Sequence, residues 1–193
     1  ARQMVLDVKG KDQDVFNLFR ESDYTGVQVL FIREGRLLGT DFFFFEDSRF
    51  ATNDNLLGQV LNRIYMTEDS IIPSEILLPF EYSDKKLLEE ELNKKTKQRV
   101  NLIFPQKGRK KELINMAFKN AKLNLSEQSE RTLKNKDILQ NVKYKIKLKR
   151  LPRVVEAFDI SHLSGTLTVA SMVYWENNKP SKKDYRKFKI KNF

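Results

Sequence analysis

Two β-rich runs separated by only two residues constrain this chain more than any other feature. Val27-Gln28-Val29-Leu30-Phe31-Ile32-Arg33 leads into Glu34-Gly35, and Arg36-Leu37-Leu38-Gly39-Thr40-Asp41-Phe42-Phe43-Phe44-Phe45 follows. Strands joined by so short a loop pair antiparallel, and Gly35 supplies the positive φ that tight hairpin turns need. The fold is therefore built on a β-sheet, and the flanking segments decide which kind.

Upstream, residues 14–19 alternate loosely between apolar and polar side chains and read as a strand, with Ser22-Asp23-Tyr24-Thr25-Gly26 as the turn. Downstream, Asn53 or Asp54 is placed to cap a helix whose apolar positions Leu57, Val60, Leu61 and Ile64 recur at helical spacing. Ile76-Leu77-Leu78 is wholly apolar, as expected of a short strand covered on both faces. Ser83 or Asp84 caps a second helix carrying Leu87, Leu88 and Leu92, and Val100-Asn101-Leu102-Ile103-Phe104 is another short strand, closed by Pro105. A third helix is expected from about Lys110, with Ile114, Phe118, Ala121 and Leu125 on one stripe. The expected order is β-β-β-α-β-α-β, completing a mixed α/β domain over residues 1–125.

Residues 126–150 are lysine-rich with widely spaced apolar positions, and read as a helical, basic connector. After Pro152 a second unit begins over residues 151–193. Residues 154–160 form a strand, Ser164-Gly165-Thr166 a turn, residues 167–175 a second strand, Asn177-Asn178 a two-residue turn and residues 185–190 a third strand. The chain stops three strands into that domain, and its opening Ala1-Arg2-Gln3-Met4 carries no apolar targeting stretch.

Charge is unevenly placed. Residues 1–80 hold 8 Lys and Arg against 13 Asp and Glu, whereas residues 81–193 hold 28 against 13. A positive segment beside an acidic one suits a polyanion-binding face, although solvated lysine-rich helices produce the same composition. No cysteine is present and there is one histidine. Thiolate zinc sites and multi-histidine clusters are excluded, so any metal must sit on carboxylates, which favour hard cations such as magnesium or manganese.

A shift of 142 lays residues 156–179 on residues 14–37 without a gap, so that Phe158 meets Phe16, Val169 meets Val27 and Glu176 meets Glu34. This is either a duplication or a likeness between two hairpins. Asp159 then lies opposite Asn17, and the first copy lacks a carboxylate where the second has one. Asp159 sits between apolar Phe158 and Ile160, where an unpaired buried charge is costly. A divalent cation is one compensating partner, and backbone amides or a lysine are the more common ones.

The segment Arg153-Val154-Val155-Glu156-Ala157-Phe158-Asp159-Ile160-Ser161-His162-Leu163-Ser164-Gly165, with Val169-Ala170-Ser171 and Tyr185-Arg186-Lys187-Phe188 after it, closely resembles the UvrC family of bacterial nucleotide excision repair. Gly10-Lys11-Asp12-Gln13-Asp14-Val15 and Ile72-Pro73-Ser74-Glu75-Ile76-Leu77-Leu78 resemble the region that precedes the UvrC nuclease domain, so the likeness covers nearly the whole chain. The resemblance implies an RNase H-like mixed sheet followed by a truncated second RNase H-like domain, the latter a metal-dependent endonuclease that cuts the damaged strand 5′ of the lesion. It implies Asp159 as the first catalytic, metal-binding carboxylate, Mg2+ or Mn2+ as the ion, UvrB and damaged DNA as partners with UvrA acting indirectly, and a bacterial cytoplasmic setting. The family's second catalytic Asp and its catalytic His are expected beyond Phe193, as are its other domains elsewhere. His162 is not that histidine, and it and Ser161 are expected to be structural residues near the site.

The order of elements over residues 13–104 is also that of RNase H, and with Asn17 at the metal position the resemblance implies that the first domain looks like a degenerate, inactive copy. Lys107, Arg109, Lys110, Lys111 and Arg186 are candidate DNA contacts, with solvation as the competing explanation. A non-catalytic module docking DNA or UvrB through the basic half is the alternative function. An unrelated RNA-binding protein fits the charge but not the Asp-Ile-Ser-His element.

Overall fold

The computed structural model describes residues 11–96, 98–163, 167–176 and 179–190. The chain divides into two compact units, residues 1–129 and residues 130–193.

In the first unit, β1 (Gln13–Glu21), β2 (Tyr24–Arg33) and β3 (Arg36–Phe45) form an antiparallel meander. Glu34 and Gly35 have φ of 50° and 73°, the doubly positive pattern of a type I′ turn, whose twist matches that of the strands. Glu34 is not a glycine, and its backbone N–H donates to Asp12 Oδ1 at 3.1 Å, a contact that helps hold it there. The turn before β2 is tighter than the sequence suggests: only Ser22 and Asp23 separate the strands, and Gly26 already lies within β2. Glycine serves space rather than turning at that point, because a Cβ would meet the Phe42 ring at 2.6 Å.

The helix α1 (Asn53–Tyr65) is capped by Thr52, whose extended backbone lets Oγ1 accept from the Asn55 N–H at 3.2 Å. Asn53 is already helical, and the Asp54 carboxylate instead accepts from the Ser83 N–H at 3.2 Å. There follow β4 (Glu75–Leu77), α2 (Lys85–Thr96) and β5 (Asn101–Ile103), with β4 parallel to both β1 and β5. The sheet order is β3-β2-β1-β4-β5.

Strand alternation sorts side chains between two core layers. Phe16, Leu18 and Ile76 pack with Leu57, Leu61 and Leu92 from α1 and α2. Val15, Leu30 and Leu77 pack on the opposite face with Leu113, Ile114 and Ala117. This double covering accounts for the uninterrupted Ile76-Leu77-Leu78 run, and each such buried side chain contributes roughly 1.5–3 kcal/mol. The helix α3 (Gly108–Lys145) starts slightly before Lys110 and runs through most of the segment read as a connector. No Gly or Pro occurs from Arg109 to Leu151, so nothing in the backbone chemistry stops it. Ile114, Ala121 and Leu125 are buried, whereas Phe118 is partly exposed and packs edge-on against Phe19 at 5.5 Å.

The second unit contains β6 (Val154–Leu163), β7 (Leu167–Glu176), a two-residue β8 (Lys179–Pro180) and β9 (Arg186–Ile190). β7 pairs antiparallel with the other three. A 3-10 turn at Lys182–Asp184 precedes β9, with the Ser181 hydroxyl donating to Asp184 Oδ2 at 2.7 Å. The turns expected at Ser164-Gly165-Thr166 and Asn177-Asn178 lie outside the described residues.

The repeat holds in strand order but not in register across the turn. Asn17 pairs with Gln28, whereas Asp159 pairs with Ser171, which a shift of 142 would place on Val29. Two residues separate β1 from β2 and three separate β6 from β7, so the hairpins match only with one residue inserted between the strands. No helix among the described residues is long and apolar enough to cross a membrane.

Candidate metal centre

Alternation along β6 puts Val155, Ala157, Asp159 and Ser161 on one face and Phe158 and Ile160 on the other. Asp159 stands opposite Ser171 of β7, which stands opposite Lys187 of β9, and the next row is Ser161, Val169 and Lys189. These residues line a shallow depression of about 490 Å³. Asp159 is exposed there and β6 is an edge strand, so the cost of a buried charge that its apolar neighbours suggested does not arise. Phe158 and Ile160, its flanking residues, are themselves 59% and 57% exposed.

The depression gathers one carboxylate, two hydroxyls and two ammonium groups. Magnesium and manganese sites for phosphate chemistry use one or two carboxylates with several waters, so Asp159 suits a first ligand without completing a site. Among the described residues no group of three or more His, Cys, Asp or Glu could hold a metal ion. Ser161 lines the depression, and His162 pairs with Thr168 through the backbone, its side chain lying outside what is described.

In the first unit the matching position is filled by an amide network. Asn17 is buried, its Nδ2 donates to the Ile114 carbonyl of α3 at 2.8 Å, and its Oδ1 accepts from the Leu18 N–H at 2.8 Å. Its cross-strand neighbour Gln28 is also buried, donates to the Asp41 carbonyl at 3.0 Å and accepts from Asn124 Nδ2 at 2.7 Å. An ionised carboxylate at residue 17 would face the Ile114 carbonyl with nothing to donate. Amides satisfy this layer where acids could not.

Residues 12–128 match the family described as UvrC Ribonuclease H-like domain, and residues 143–193 match the UvrC RNAse H endonuclease domain. The chain belongs to the UvrC family. Membership carries an RNase H-like fold, in keeping with the mixed sheet of the first unit. UvrABC system protein C of Alkaliphilus oremlandii is 35% identical over 98% of this chain, and that of Solibacter usitatus is 36% identical over 98%. The protein of the same name from Clostridioides difficile is 35% identical over 95%. The chain spans about a third of the length of these UvrC relatives, 31%, 30% and 31% respectively.

The basic residues singled out from the sequence have different surroundings in this UvrC chain. Lys107 and Arg109 are exposed at the start of α3. Lys110 instead lies 2.8 Å from Glu75 Oε2, in a cluster where Gln13 donates to the same carboxylate at 2.7 Å and Lys11 at 3.1 Å. Burial pushes the Glu75 carboxyl up, but these hydrogen bonds outweigh it and hold the group below its ordinary value. The Lys111 ammonium sits 5.9 Å from the centre of the Phe104 ring. Arg186 folds onto its own turn, donating to the carbonyls of Lys183 and Tyr185 at 2.9 and 3.0 Å.

Sequence reasoning missed a buried triad on the opposite face of β1. Asp14 accepts from Arg33 Nη1 and from the Tyr65 hydroxyl, both at 2.6 Å. Burial pushes the Asp14 carboxyl up, and its two hydrogen bonds only partly offset this. The available signal was an acid in step with Phe16 and Leu18, on a strand face that is otherwise apolar.

Proposed function

We propose that this chain is the central part of a UvrC subunit that incises the damaged DNA strand 5′ of a lesion in nucleotide excision repair, with UvrB and damaged DNA as partners and UvrA acting indirectly. Asp159 is the first metal-binding, catalytic carboxylate, and Mg2+ or Mn2+ is the ion it helps hold. Residues 151–193 are the opening strands of the endonuclease domain. Residues 1–125 are an inactive copy, with Asn17 at the lost site, and residues 126–150 connect the two.

The observation that carries this reading is the family match over residues 143–193, which contains Asp159 in Phe158-Asp159-Ile160-Ser161-His162, on the sheet face that also bears Lys187 and Lys189. A carboxylate beside ammonium groups is suited to a metal-bridged phosphodiester. Asp159 needs further ligands to make a two-metal site, so the 193-residue chain by itself does not cut. The alternative, a non-catalytic module docking DNA or UvrB, draws on the excess of Lys and Arg after residue 80.

The test is incision of a lesion-bearing duplex with UvrA, UvrB and manganese. A chain extended through the remaining nuclease residues is expected to cut 5′ of the lesion, and Asp159→Asn in that chain to abolish the cut. Full 5′ cutting by the Asp159→Asn variant would remove the catalytic assignment and favour the docking module.

A further inference from the structure

The end of α3 and the loop after it carry a concentration of charge that the proposed active site does not use. Residues 143–153 contain Lys143, Lys145, Lys147, Lys149, Arg150 and Arg153, with no Asp or Glu among them. Among the described residues none of these six is ion-paired, whereas Lys134, earlier on the same helix, lies 3.8 Å from Glu130. A solvated lysine-rich helix end explains that much, since cations favour a helix C-terminus.

Two further observations do not follow from solvation. The apolar residues between the lysines are turned outward: Tyr144 is 84% exposed and Ile146 62%. A Tyr projecting into water between two lysines buries little of its ring, and ring burial is the main stabilising contribution aromatic side chains make. The helix also ends in a Schellman arrangement, with the Leu148 N–H donating to the Lys143 carbonyl at 2.9 Å and the Lys147 N–H to the Tyr144 carbonyl at 3.2 Å. The left-handed residue of that motif is usually glycine, and here it is Lys147, with φ of 55°. A lysine held at a strained position, in a row of unpaired lysines, is the kind of outlier that clusters at functional sites.

We propose that residues 143–150 are a DNA-binding stripe, in which Lys143, Lys145, Lys147 and Lys149 contact phosphates and Tyr144 stacks on an unpaired base. Cations fanned around the last helical turn and the Schellman turn after it, with an exposed ring among them, match single-stranded DNA, because a flexible strand can wrap such an end and an aromatic face accepts any base. The inference rests on the reading of this chain as part of a DNA-processing enzyme, and adds where and how it holds the strand. The Schellman turn gives the stripe a defined shape, since it fixes the backbone from Lys143 to Leu148.

The experiment is fluorescence anisotropy of the 193-residue chain on a labelled single strand of roughly 20 nucleotides, across a salt series. Replacing Lys143, Lys145, Lys147 and Lys149 together by Gln is expected to lower the salt slope by about 3 and the affinity at 0.1 M salt by about 10²-fold or more. Tyr144→Leu is expected to weaken single-strand binding roughly 5- to 100-fold with the slope unchanged, and to leave blunt duplex binding unaltered. Because it changes one exposed side chain, it also tests the stripe should the fourfold variant fold poorly. A control with Lys86, Lys94, Lys119 and Lys182 changed to Gln carries the same net charge and is expected to match wild type.

A wild-type slope in the stripe variant, an equal loss in the control, absence of salt-dependent DNA binding by the wild-type chain, or equal affinity for polyglutamate would each overturn the stripe. None of these bears on Asp159, whose Asp159→Asn test in the longer chain stands or falls separately.

Discussion

Both sheets begin with a long antiparallel hairpin, yet they treat the same strand position in opposite ways. In the first unit, β1 is central, covered by α1 and α2 on one face and α3 on the other, and Asn17 is sealed under the Ile114 carbonyl. In the second, β6 is an edge strand, and Asp159 opens onto a depression with Lys187 and Lys189. A buried position demands a side chain that both donates and accepts, which an amide does and a carboxylate does not. An open position tolerates a charge, and leaves it available to a cation. Within this chain, the covered position holds an amide bonded on both sides and the exposed one holds a carboxylate.

The largest test of that contrast concerns buried charge. Asp14→Ala takes from Arg33 its buried carboxylate partner, leaving it the Gln13 and Ile32 carbonyls, and removes the acceptor of the Tyr65 hydroxyl, and is expected to cost about 3 kcal/mol in urea unfolding of this chain. Asp159→Ala, on the open sheet, is expected to leave the urea midpoint where it is. Equal losses would mean that the second sheet is as closed as the first. A somewhat smaller effect is expected from restoring the acid in the first copy. Asn17→Asp sets a carboxylate against a carbonyl oxygen and is expected to destabilise by about 2 kcal/mol, with manganese giving no recovery of the melting temperature. Recovery on adding the metal would show that the first site is vacant rather than filled.

The smallest effect is in pH dependence, where two acids of the first unit act in opposite directions. The Glu75 carboxyl is held below its ordinary 4.5, so its contribution is present above that value and lost as pH falls through the lower folded one. The Asp14 carboxyl is pushed above its ordinary 3.8, so its contribution is full below that value and lost as pH rises through the higher folded one. Glu75→Gln is thus expected to flatten the acid limb of a stability profile, and Asp14→Asn to reduce the decline toward neutral pH. A Glu75→Gln profile that still falls on the acid limb like wild type would assign that limb to other carboxylates.

Local chemistry was legible wherever the chain determines its own neighbours. The Glu34-Gly35 turn, the α1 stripe of Leu57, Val60 and Leu61, and the double-sided Ile76-Leu77-Leu78 strand all follow from residues within a few positions of one another. Legibility faded where a partner lies far along the chain. Lys110 was a candidate DNA contact with solvation as the alternative, and its ion pair with Glu75, 35 residues earlier, was not visible in the local sequence. Asp14 went unnoticed because its partners are 19 and 51 residues away. The capping residue of α1 was misplaced by one or two positions because Thr52, Asn53 and Asp54 are all competent caps, and only backbone direction chooses among them.

By itself, the sequence determined the strand and helix order of the first unit, the resemblance to the family, and the presence of Asp159 in its motif, because periodicity and short motifs are local properties of the chain; the two-residue β8 of the second unit carries no such signal. Only the tertiary structure decided that Asn17 closes its layer through α3, that Asp159 lies exposed, and that Tyr144 stands outward among unpaired lysines. Those outcomes depend on which surfaces are covered, and covering is set by segments distant in sequence that the hydrophobic effect brings together without regard to spacing.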